Sequence, residues 1–102
     1  MLPFIIHSDD VPEAEGRYPA PFEAEALTFG RDLGSAAGVE RLGTFIERLP
    51  PGRRTSRLHA HLREEETVYV LAGAPVLRWR MPEGPSEESQ IRKGSFVVFR
   101  AG

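Results

Sequence analysis

The chain has 102 residues, 40% of them hydrophobic and 27% charged, with a formal net charge of -2. That length suits one domain, and the near balance of charge supplies no field to attract nucleic acid or an anionic membrane. There is no cysteine, so disulfides, zinc–thiolate sites, iron–sulfur clusters and thiol nucleophiles are excluded, and any metal must be held by His, Asp, Glu or water.

Residues 1–6 are apolar but short, interrupted by Pro3 and preceded by no basic residue, which does not fit a signal peptide. No stretch approaches the roughly 20 apolar residues of a membrane span. A soluble, cytoplasmic protein is expected. Residues 1–25 read as an irregular N-terminal arm, because Pro3, Pro12, Pro19 and Pro21 oppose both helix and central strand. Ser8-Asp9-Asp10 can cap one short turn ahead of Pro12.

A domain is expected over residues 26–102. Residues 26–29 form a short apolar run that stops at Gly30, and 31–38 are turn-like and glycine-rich. Residues 42–49 read as a strand with Phe45, Glu47 and Leu49 on one face, ended by Pro50-Pro51-Gly52. Strands are expected at 56–62, 66–71, 76–80 and 95–99, with turns at 63–65 and Lys93-Gly94 and a loop over 81–88. Short strands with Gly and Pro punctuation argue for an all-β sandwich or barrel. Phe45, Tyr69, Trp79, Phe96 and Phe99 are expected as core or interface aromatics.

The chemistry-bearing group is His59-Ala60-His61 followed by Glu64, Glu65 and Glu66. On a strand, residues i and i+2 share a face, and a rise of about 3.3 Å per residue sets the two imidazoles about 6–7 Å apart at their Cα atoms. Both can then reach one ion. Glu66 opens the next strand with the parity of Val68 and Val70; Glu65 has the opposite parity and Glu64 lies in the turn. His59, His61 and Glu66 are therefore the candidate metal ligands. Arg53, Arg54 and Arg57 precede them, and a solvated rim paired with Glu64 and Glu65 is favoured over an anion-binding cluster. Tyr69, Trp79 and Arg57 are candidates for lining a pocket.

These residues resemble the cupin superfamily, small jelly-roll-like β-barrels. The family's first motif runs from a glycine through HxH and a glutamate to a second glycine. Gly52, His59, His61, Glu66 and Gly73 match it, with four residues between His61 and Glu66 and six between Glu66 and Gly73. Six residues separate Gly52 from His59, one more than is usual in the family. Gly94 and Gly102 match the start of the second motif; Arg100 stands where proline is usual, and the fourth-ligand histidine would fall after Gly102. The resemblance implies a cupin-type barrel that lacks its last strands. It also implies a divalent metal (zinc, manganese, iron, nickel or copper) bound by His59, His61 and Glu66, a small-molecule ligand, and a homodimer, with strand exchange as one form. Three readings stay open: a metal-dependent enzyme, a metal-free binding or sensing module, and a structural dimeric barrel.

Overall fold

The computed structural model describes residues 5–21, 25, 27–55 and 64–100. Two compact units divide the chain, Met1–Arg57 and Leu58–Gly102. The described residues contain seven strands in antiparallel sheets and one short α-helix, so the chain is mostly β. Among them no sheet closes into a barrel: the strands form one three-stranded and two two-stranded sheets. The barrel expected from the sequence is thus not seen in these residues. No helix among them is long and apolar enough to cross a membrane.

In the first unit β1 (Ala14–Glu15), β2 (Phe29–Asp32) and β3 (Phe45–Arg48) form a sheet in that order. The expected turn in the arm is present as a 3-10 turn at Ser8–Asp10, capped by His7, whose Nδ1 accepts the Asp9 N–H at 3.2 Å. The arm is not wholly irregular, because β1 pairs Ala14 with Gly30 and Glu15 with Phe29. The apolar run ends at Gly30 but the strand does not: β2 continues through Arg31 and Asp32, with its backbone paired to β1 on one side and β3 on the other.

After β2 the chain turns through α1 (Leu33–Ala36). Asp32 caps it, accepting the Ser35 N–H at 3.0 Å on Oδ1 and the Ser35 hydroxyl at 2.8 Å on Oδ2. The helix ends in a Schellman pattern: Gly38 N–H donates to Ser35 O and Val39 N–H to Gly34 O, with Gly38 at φ +78°. Val11, Leu27 and Thr28 are buried in this unit.

The arm is held to the sheet by charge and aromatic contact. Register puts Glu15, Phe29 and Arg48 on one face. The guanidinium carbons of Arg48 and Arg53 lie 4.4 and 4.6 Å from the Phe29 ring centre. Arg48 donates to Glu13 at 2.6 Å and Arg53 to Glu15 at 3.1 Å. Arg31 donates to the Val11 carbonyl at the end of the 3-10 turn.

The second unit holds β4 (Glu66–Tyr69), β5 (Val76–Trp79), β6 (Glu87–Gln90) and β7 (Phe96–Phe99). β4 pairs with β7 and β5 with β6. Backbone bonds continue between the two ladders: Val70 N–H to Ser95 O, Gly94 N–H to Val70 O, Lys93 N–H to Gly73 O, and Ile91 N–H to Pro75 O. The unit is therefore one long hairpin from Glu66 to Phe99, with a bend between the ladders where Gly73 and Gly94 have φ +84° and +90°. The Gln90 side-chain amide stitches the bend by donating to the carbonyls of Ala74 and Pro75 at 2.7 and 2.9 Å.

β6 begins inside the 81–88 stretch expected as loop and runs on to Gln90. Its Glu-Glu-Ser-Gln sequence has poor strand preference, and its partner decides instead: Arg78 faces Glu88 with an ion pair at 3.5 Å, and the Trp79 indole N–H donates diagonally to Ser89 Oγ at 2.9 Å.

Candidate functional site

Of the expected ligands, His59 and His61 lie outside the described residues, as does Arg57. Glu66 is described, and it stands where strand parity puts it, as the first residue of β4 and opposite Phe99. Glu64 and Glu65 precede the strand. The β4–β7 register gives two faces. Glu66, Val68, Val97 and Phe99 share one, and Thr67, Tyr69, Phe96 and Val98 share the other.

Val97 and Phe99 are half-buried, and Val70, one residue past β4, is buried. On the same face Glu66 itself and Val68 are exposed. Among the described residues, which do not include His59 and His61, no group of three or more His, Asp or Glu could hold a metal.

Three of the aromatics expected in a core or an interface are largely exposed: Phe45 at 56%, Tyr69 at 59% and Phe96 at 62%. Tyr69 lies across from Phe96 on the face opposite Glu66. Strand alternation is the physical cause, since Tyr69 is an odd number of residues from Glu66. Trp79 is half-buried, with its N–H bonded to Ser89. Arg53 is committed to Glu15, the Leu27 carbonyl and the Phe29 ring. Its acid partner in the expected rim was Glu64 or Glu65; the pairing of β1 with β2 brings Glu15 to it instead.

A concavity of about 310 Å3, not expected from the sequence, lies on the other face of the β1–β2–β3 sheet, lined by residues that include Gly30, Asp32, Phe45 and Glu47. Its only advance signal is Gly30, whose missing side chain leaves the floor open. Asp32 is occupied in capping α1, with both carboxylate oxygens on Ser35.

Titration is perturbed at one carboxyl of the arm. The Arg48 hydrogen bond holds Glu13 below its ordinary value of 4.5, against a smaller opposing effect of desolvation, with the Arg48 and Arg31 charges adding to the lowering. The same bond raises Arg48. Comparison with known proteins gives no match to a family model, a curated protein or a solved structure.

Proposed function

We propose that the chain is a cupin-like protein that holds a divalent metal through His59, His61 and Glu66 and binds or transforms a small molecule there, as a homodimer. The observation that carries this reading is the HxH-to-glutamate spacing, together with Glu66 opening β4 on the face it shares with Val68, Val97 and Phe99. Two further features support it. Gly52, Gly73 and Gly94, the glycines shared with the cupin motifs, all have positive φ, at +80°, +84° and +90°. A Cβ on any of them would meet nothing within 4 Å, so backbone conformation rather than packing asks for glycine. The long bent hairpin, with β5–β6 nested inside β4–β7, is also a natural component of a jelly roll.

Two imidazoles and one carboxylate suit zinc, manganese, iron, nickel or copper. A metal so held would supply Lewis acidity to a carbonyl or similar group of the ligand. The test is metal analysis of protein purified without a histidine tag, beside the His59→Ala/His61→Ala double variant and Glu66→Gln. Near-stoichiometric metal in the wild type, lost in the double variant and reduced in Glu66→Gln, is expected. Equal, near-zero metal in wild type and double variant sinks the reading and leaves a metal-free binding module.

A further inference from the structure

Two carboxylates of the arm sit on guanidiniums that the sheet itself holds in place. Glu13 accepts from Arg48 through both Nη2, at 2.6 Å, and Nε, at 3.3 Å, the forked geometry of an arginine–carboxylate pair. Glu15 accepts from Arg53 at 3.1 Å and, within its own segment, from Arg17 at 3.4 Å. Arg31 Nε stands 4.0 Å from Glu13. All of these residues belong to the first unit.

The two guanidiniums do not need the arm to be placed. Arg48 and Arg53 lie 4.4 and 4.6 Å from the centre of the Phe29 ring, and Arg53 also donates to the Leu27 carbonyl at 3.1 Å. Sharing one ring keeps the two guanidinium carbons within about 9 Å of each other. The arm's hold is divided. The Ser8–Asp10 turn is anchored by the buried Val11 and by the Arg31 bond to the Val11 carbonyl. Residues 12–16 join β2 through a two-residue ladder, Ala14 and Glu15, and the Gly16 N–H bond to Thr28 O. That segment can lift while the turn stays docked.

We propose that Arg48 and Arg53 form a binding site for a small dicarboxylate, and that Glu13 and Glu15 occupy it as internal stand-ins, so that ligand binding and lifting of residues 12–16 are one event. The proposal is independent of the metal and of the dimer. Chemistry selects the ligand class. A planar guanidinium matches a carboxylate through two parallel bonds, and two of them at this separation suit two carboxylates on one short carbon chain. Glu13 and Glu15 present such a pair already, as alternate residues with Cα atoms about 6–7 Å apart in an extended chain. Arg31, Arg48 and Arg53 against Glu13 and Glu15 leave an excess of positive charge, in a chain whose net charge is -2. Exposed ion pairs hold weakly, so the arm is a competitor that a ligand can displace.

The experiment is calorimetric titration of the full chain with glutarate at constant ionic strength, with hydrogen exchange at the Gly16 amide reporting the arm. The wild type should bind weakly, and its Gly16 exchange should quicken as glutarate is added. Glu13→Gln/Glu15→Gln should bind about tenfold more tightly, because the stand-ins no longer reduce the competent population. Its Gly16 amide should exchange fast without ligand. Glu15→Gln alone should tighten binding by about threefold, which keeps the test valid if the double variant fails to fold by circular dichroism. Adding Arg48→Met to either background should abolish binding. Ion pairs that only brace the arm predict a double variant that loosens yet binds no glutarate, and that result overturns the proposal. So does equal affinity in wild type and double variant, or chloride at the same ionic strength quickening Gly16 exchange as much as glutarate does.

Discussion

Replacing Gly94 by alanine isolates the energetic role of the bend in the long hairpin. Gly94 has φ +90°, and a Cβ built there meets nothing within 4 Å. The penalty is therefore conformational, with no clash to relieve. An L-residue in the left-handed region pays about 1–2 kcal/mol. Alanine also restricts the unfolded chain, which returns about 0.4–1 kcal/mol. The net expectation is a loss of about 1 kcal/mol, or about 4–8 °C in Tm for a domain of this size. Gly94→Asn should cost roughly half as much, because asparagine tolerates the left-handed region better. Gly30→Ala is the opposite control: its φ is not positive, and its new Cβ would sit 3.9 Å from the Glu47 side chain, in ordinary contact. That variant should be neutral or slightly stabilising. Trp79, the single tryptophan, reports on the second unit in urea unfolding, and far-UV circular dichroism reports on both. The m-value must stay constant for the comparison to hold. Gly94→Ala at least as stable as Gly94→Asn would refute the reasoning.

Two other perturbations test the first unit. Asp32→Ala removes both bonds to Ser35 and should cost about 1 kcal/mol in urea unfolding, the usual loss for a helix N-cap; Asp32→Asn should recover most of it. Glu13 should titrate below 4.5 when its carboxyl carbon is followed by NMR, and Arg48→Met should raise it, since the Arg48 bond is the largest cause of the lowering. A lowered carboxylate contributes stability that is present above its unfolded value of 4.5 and is lost as pH falls through the lowered value, so the arm should loosen only in acid below 4.5. Added salt should shrink the difference, because this pair is exposed. An unchanged Glu13 titration in Arg48→Met would remove the Arg48 bond as the cause.

The sequence was most readable where local preference and pairing agree. Residues 66–71 and 95–99 are rich in Val, Phe, Thr and Tyr, and β4 and β7 appear inside them. It was least readable where a partner overrides preference. Glu87-Glu88-Ser89-Gln90 carries no strand signal of its own, and Arg78, Trp79 and the Gln90 amide recruit it. Gly30 looked like a stop and is a strand centre, because β1 and β3 pair on either side of it. The exposed aromatics follow from the same limit. Composition tells that Tyr69 and Phe96 are apolar enough for a core, while burial depends on what lies across each face. For the candidate site, parity identified Glu66 among three consecutive glutamates, since alternation is a local property of a strand. Convergence with His59 and His61 is a long-range property and stays a proposal.

The bend and the candidate ligand are coupled through register. Side chains alternate faces along a strand, so a slip of one residue between β4 and β7 would move Glu66 to the Tyr69 face and bring Tyr69 to the ligand face. Nothing in the apolar composition of these strands opposes that slip, because valine and phenylalanine occupy both faces. What opposes it is the bend. Gly94 N–H to Val70 O at 2.8 Å, Lys93 N–H to Gly73 O at 2.9 Å and Ser95 N–H to Arg92 O at 2.8 Å fix the pairing just beyond the end of the β4–β7 ladder. Each depends on Gly73 or Gly94 holding a conformation that most residues resist. The six residues between Glu66 and Gly73 then place a carboxylate on a chosen face at a set distance from a pinned point. On this argument the motif glycines fix register, and Gly94→Ala should weaken the metal binding proposed above more than an equally destabilising change in the other unit, such as Asp32→Ala.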